Sequence, residues 1–416
     1  MMGSLFLKEC RQILRSLIYY IYIVIFVLFI TSQMGDTSWI GALEEPQPGS
    51  DYYGYGHSDD PDDIMEEAIE TLFEETYRNN YNTYPFGFIK RVTLTEEELA
   101  GIESELERCT GKSFEELIEL YIDYHQTTDF GGSFEQYMRG KLDWHIPIVE
   151  DFTYEEFEEL MKQVSGIVGK GCMYEDSNYK ASAIKELSYE DAVANYLDLR
   201  DHDRVTGAQM RLFCDYAGIM LAILPIFVGV SSCLRDKKAK AADVIYSKKV
   251  SGTVLILSRY FANVFLLFVP VAVCAALLQM PTYHQAVKMG MTPDGLAFLS
   301  YTVVWLLPPI MITLALAFLI TELTDKILAI PIQLVWAFGS EFAASTIVGD
   351  FQWKLVVRWN EFGDYSRYAT ELHQLYLNRG YYVILSMICI AAAVIVYGKK
   401  RKEGVTVFGK IWKSHR

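Results

Sequence analysis

Motifs that carry enzyme chemistry are scarce in this chain of 416 residues. His-Glu-x-x-His is absent, as is any zinc-type cysteine spacing, and the seven histidines stand singly; His125 and His145 read as ordinary residues rather than ligands. Gly111-Lys112-Ser113 ends like a phosphate-binding loop, but Leu106 stands where the earlier glycine is required, so a helix cap is the better reading. A disulfide framework is also missing. Five of seven cysteines (Cys10, Cys214, Cys233, Cys274, Cys389) lie in or beside apolar runs, where a free cysteine behaves as a small hydrophobe. Only Cys109 and Cys172 lie in a polar segment, and whether they pair is open. That segment has no Asn-x-Ser/Thr and little positive charge: Met34 to Arg211 holds 40 Asp plus Glu against 14 Lys plus Arg, a net of −26, while the rest holds 13 against 23, a net of +10. A cytosolic protein has no reason to sort charge in this way. A membrane protein does, because basic flanks stay inside and long acidic domains are translocated regardless of charge.

Long apolar runs are plentiful. Crossing about 30 Å of hydrocarbon takes roughly 20 apolar residues in a helix, which satisfies its own backbone. Six stretches are expected to cross: 16–35, 216–234, 254–279, 295–321, 327–348 and 380–398. Basic residues orient them. Lys8, Arg11 and Arg15 precede the first; Arg235, Lys237, Lys238, Lys240, Lys248 and Lys249 follow the second; Lys399, Lys400, Arg401 and Lys402 follow the sixth. With six crossings all three clusters fall on one side, which the positive-inside rule makes the cytoplasm. The first run reads as a helix rather than a cleaved signal peptide, because Thr31-Ser32-Gln33-Met34 is a poor cleavage site.

The domain reading is therefore an amphipathic lead and first helix (1–35), an acidic extracellular domain (36–211), helices two to six (212–398) and a basic cytoplasmic tail (399–416). Residues 36–60 are turn-rich and read as a linker. Beyond it, capping boxes at Thr95–Glu98, Ser113–Glu116, Ser133–Gln136 and Thr153–Glu156, with Ser188–Asp191 weaker, mark helix starts. Apolar residues follow at helical spacing, as in Phe114, Leu117, Ile118 and Tyr121. No strand alternation is sustained. The fold class is thus all-α: a polytopic membrane protein with a large, mainly helical extracellular domain between its first two membrane helices. The acidic runs Asp59–Asp63 and Glu96–Glu98 read as solvated surface.

Two features stand out as candidate sites. Glu341, in the outer part of the fifth run, is a costly carboxylate that either lines a pathway or marks a wet re-entrant segment. The loop from Leu234 to Ser258 carries Asp236, Lys237, Lys238, then Asp243-Val244-Ile245-Tyr246, and ends at Arg259. A short charged helix held between two membrane helices transmits force only to something docked on it. Lys8-Glu9 running into the first helix, six runs, and this loop together resemble the permease subunit of type-2 ATP-binding-cassette (ABC) transporters. In that class an acidic residue, a short helix, a small and basic turn and a basic residue occupy the positions of Asp236, 243–246, 247–251 and Arg259. The usual proline of the turn is missing.

The resemblance implies a pathway formed with a second permease subunit in membrane lipid, driven by separate cytosolic ATPase subunits bound under the loop. The chain would hold no cofactor and perform no catalysis of its own, since ATP and magnesium belong to the partner, and nucleic acid is not expected. Residues 349–379, with Trp353, Trp359, Tyr365 and Tyr368, would lie at the outer membrane surface. Competing readings are a membrane sensor whose outer domain binds a ligand such as a cationic peptide, and a structural assembly protein.

Overall fold

The computed structural model describes residues 2–34, 43–84, 90–128, 134–247, 249–342, 351 and 353–403. It divides into two compact units: residues 1–44, 195–341 and 347–416 form one, and residues 45–194 with 342–346 form the other.

In the first unit, five helices are long and apolar enough to cross a membrane: Leu17–Met34, Thr206–Lys238, Gly252–Lys288, Ala297–Thr324 and Tyr365–Lys402. They coincide with five of the six expected runs. The remaining run holds helix Ala329–Phe342, whose 14 described residues rise about 21 Å. Residues 343–350 lie outside the described set. Proline shapes several of these helices by removing a backbone donor. Pro225 follows a break at Leu224, Pro270 and Pro281 lie inside Gly252–Lys288, and Pro308-Pro309 follow a π-helical stretch at Thr302–Leu306.

Burial in this unit is inverted relative to a water-soluble fold. Arg211, Asp215, Asn263, Gln333 and Arg379 are buried, whereas Val273, Leu277, Met280, Ile384, Met387 and Ile388 are more than half exposed. In water such an apolar surface would cost about 25 cal/mol per Å2; against lipid it costs nothing, and polar groups must face inward. Inside, Tyr19 and Tyr22 hydroxyls donate to the carbonyls of Leu266 (3.1 Å) and Leu267 (2.7 Å), tying Leu17–Met34 to Gly252–Lys288.

The aromatic residues leading into the last helix divide between surface and core. Trp353 is 68% exposed, but Trp359 and Tyr368 are buried and pack with Trp305 and Phe351. The pull comes from a buried carboxylate. Asp215 accepts from Arg358 Nε (2.8 Å) and the Trp359 backbone N–H (2.5 Å), so the loop is drawn into the unit rather than laid on its surface. Nearby Arg211 pairs with Asp203, donates to Gly363 O (2.6 Å) and sits 4.5 Å over the Tyr368 ring.

The second unit follows the rules of water. Helices Pro61–Tyr77, Glu96–Thr110, Phe114–Thr127 and Tyr154–Val168 bury Ile69, Phe73, Leu106, Leu117, Phe157 and Leu160 in one core. Capping boxes are present at Thr95, Ser113 and Thr153, and Ser188 and Asp191 exchange the same reciprocal bonds. Ser133 lies outside the described residues. The run Asp59–Asp63 is a helix start: Asp60 caps Pro61–Tyr77, and Asp62 and Asp63 occupy its first turn, where negative charge meets the helix dipole.

Two small sheets accompany the helices. Tyr55–His57, inside the expected linker, pairs antiparallel with Ile184–Glu186, and Tyr81–Thr83 pairs with Lys90–Val92. Each strand has three residues, too short for alternation to register in sequence. All seven cysteines are free. Cys109 and Cys172 are buried in the same core, and burial pushes the Cys109 thiol up to about 12.

Candidate functional site

The loop between helices Thr206–Lys238 and Gly252–Lys288 starts from an abrupt helix end. Lys240 adopts a left-handed conformation (φ 52°); its N–H donates to Lys237 O (3.0 Å), and the Ala241 N–H donates to Asp236 O (2.9 Å). This is a Schellman turn, normally closed by glycine, and a lysine there costs roughly 1–2 kcal/mol. The chain passes directly into the short helix Ala242–Tyr246.

Two ion-pair clusters hold this turn. In the first, Arg259 Nη2 donates to Asp236 Oδ2 (2.6 Å) and Glu9 Oε1 (3.4 Å), while Arg235 Nη2 donates to Glu9 Oε2 (2.5 Å). Glu9 and Arg259 are almost wholly buried. The cluster joins the lead helix Met2–Ile13 to both helices flanking the loop, and its two acids and two arginines balance. Removing one member of such a buried set costs about 3–5 kcal/mol, because a charge is left uncompensated.

In the second cluster, Lys400 Nζ donates to Glu322 Oε2 (3.1 Å) and pairs with Asp325, the left-handed cap of Leu307–Thr324 (φ 55°). Lys237 lies 3.8 Å from the same aspartate. Next to it, Arg401 donates through Nε to Tyr246 O (2.9 Å) and through Nη1 to Val250 O. The Tyr246 ring packs edge-on against Tyr397, centroids 5.8 Å apart. The short helix is therefore fastened at its C-terminal end to the last long helix.

The expected site residues thus divide by role. Asp236 and Arg259 are structural members of one network, Lys237 of the other, and Lys238 is exposed. Tyr246 and Ile245 are half-buried, while Val244 is 59% exposed. The side chains of Asp243 and Glu341 lie outside the described residues; the Glu341 backbone is in the last turn of Ala329–Phe342. Glu9, Glu322, Asp325, Tyr397, Lys400 and Arg401 were not singled out from sequence as site residues. Glu322 and Asp325 carried a usable signal, as acids at the end of an apolar run on the basic side. Lys400 and Arg401 looked like an orienting tail, and nothing in sequence tied them to Tyr246.

The three basic segments thus adjoin at one end of the first unit. What the arrangement can do is mechanical: a rigid turn is coupled to four long elements while one apolar side chain is left outward. No curated protein and no solved structure matches the chain. A family model described as ABC-2 family transporter protein matches residues 66–398, taking in most of the acidic segment as well as the loop. Spanning well over half of the sequence, that match makes the chain a member of the ABC-2 transporter permease family.

Proposed function

We propose that the chain is the permease subunit of an ABC exporter, forming the membrane pathway with a second permease subunit and coupled to a separate cytosolic ATPase through residues 235–252. In this reading the basic end faces the cytoplasm of a plasma-membrane protein, with both termini inside and residues 36–211 outside. ATP and magnesium are held by the partner.

The observation that carries the proposal is the fastening of the short helix Ala242–Tyr246. Force applied at Val244 passes through Tyr246 and Arg401 into Tyr365–Glu403, and through Asp236, Arg259 and Glu9 into the lead helix. Charge-assisted bonds of this kind are short and directional, so they move their elements together. Family membership supports the same reading, because ABC-2 permeases work with an ATPase subunit.

The test is co-expression with ABC ATPase subunits from the same genome. Val244→Asp is expected to lower ATPase co-purification at least tenfold while the detergent-solubilised chain elutes unchanged. Co-purification at the unsubstituted level overturns the coupling role. Reconstitution then separates transport from sensing: ligand-stimulated hydrolysis without flux favours a sensor.

A further inference from the structure

The second unit contains a cleft that the transport reading does not use. Its volume is about 200 Å3, and its lining carries six carboxyl groups against two lysines. Glu66 and Glu70 lie four residues apart on one face of Pro61–Tyr77. His145 comes from the segment after helix Phe134–Leu142, and its Nδ1 is 2.6 Å from Glu66 Oε1. One ligand atom from each of these three residues lies within 4.8 Å of the others.

Glu70 is the buried member of the set: it is 7% exposed and accepts a hydrogen bond from the Ile146 N–H at 3.3 Å. Lys141 forms its ion pair with Glu67. Burial, with the like charges of Glu66 and Glu67 beside it, pushes the Glu70 carboxyl up to about 9, so a cation bound here must displace its proton.

We propose that Glu66, Glu70 and His145 form a binding site for a zinc-type divalent transition cation, in which the metal replaces the present Glu66–His145 contact. One imidazole and two carboxylates suit zinc better than calcium or magnesium, which take oxygen alone. Ligand atoms around tetrahedral zinc are about 3.3 Å apart, so the set must contract by about 1.5 Å at its widest, within reach of side-chain rotation. Three protein ligands leave a fourth position open to water or to a ligand group. His145, an ordinary residue to sequence reasoning, becomes the one that sets metal preference.

The experiment uses the full chain in detergent, stripped with chelator and titrated with Zn2+, Co2+ or Ca2+ alone. One equivalent of Zn2+ is expected, weakened at least tenfold by His145→Ala and by Glu70→Gln, and less than threefold by Glu186→Gln, which removes a cleft charge but no ligand. Co2+ should give a visible absorption band that His145→Ala abolishes, and Ca2+ should not compete. His145 is largely exposed, so its removal spares folding and decides the matter even if Glu70→Gln misfolds. Zinc uptake equal in His145→Ala and the unsubstituted chain, no uptake at all, or equal competition by Ca2+ overturns the site.

Discussion

The two units of this molecule treat charge in opposite ways. In the first, arginines and acids are paired inside and aliphatic side chains point outward: Arg259 lies against Asp236 and Glu9, Arg211 against Asp203, and Asp215 against Arg358. In the second, Phe157 and Leu160 are inside, and ion pairs such as Arg108 with Glu105 and Glu156 are surface features. The lesson is that an ion pair has no fixed worth. Inside an apolar bundle it fixes register and is costly to break; on a wet surface it contributes little. The same contrast explains why the acidic unit carries an excess of negative charge on its surface, whereas in the other unit the buried acids Glu9 and Glu322 each meet a basic partner.

That contrast is open to direct attack. Arg259→Met is expected to be the most damaging change, about 3–5 kcal/mol, because it takes from Asp236 its closest basic partner and leaves Glu9 with Arg235 alone; the readout is loss of a monodisperse peak and a lower Tm in detergent. Leu160→Ala, with Leu160 2% exposed in the core of the second unit, should cost about 2–5 kcal/mol through its cavity, read as faster proteolysis of residues 45–194 with the rest intact. Ser113→Ala removes a capping box and should cost about 1 kcal/mol. Lys240→Gly relieves the left-handed turn and should raise Tm by the equivalent of about 1 kcal/mol. Arg108→Ala should change stability by less than about 1 kcal/mol. If Arg259→Met and Arg108→Ala proved equally mild, the distinction between the units would collapse.

Much of this was legible in the sequence where one physical rule dominated. Long apolar runs announced five helices, and Thr95, Ser113 and Thr153 announced helix starts, because capping needs only a hydroxyl and an acid three residues on. Asp236 and Arg259 were picked out through the resemblance as residues flanking the loop, though not as partners of each other. What escaped was long-range. The descent of Trp359 into the core depends on Asp215, 144 residues away, and aromatic composition alone pointed to a surface. The clamp from Arg401 to Tyr246 spans 155 residues. Three-residue strands carry too little pattern to be seen, and the Schellman turn was hidden because lysine stands in place of glycine at 240. At the cleft, Glu66 and Glu70 looked like any acidic helix face until the fold brought His145 beside them.

The central claim is that the basic end, with the fastened loop, faces the cytosol. It is tested most directly by treating intact cells with a membrane-impermeant maleimide, using Lys238→Cys and Glu97→Cys chains. Glu97→Cys is expected to react at once and Lys238→Cys only after permeabilisation. Reaction of Lys238→Cys in sealed cells, with Glu97→Cys protected, would contradict the account.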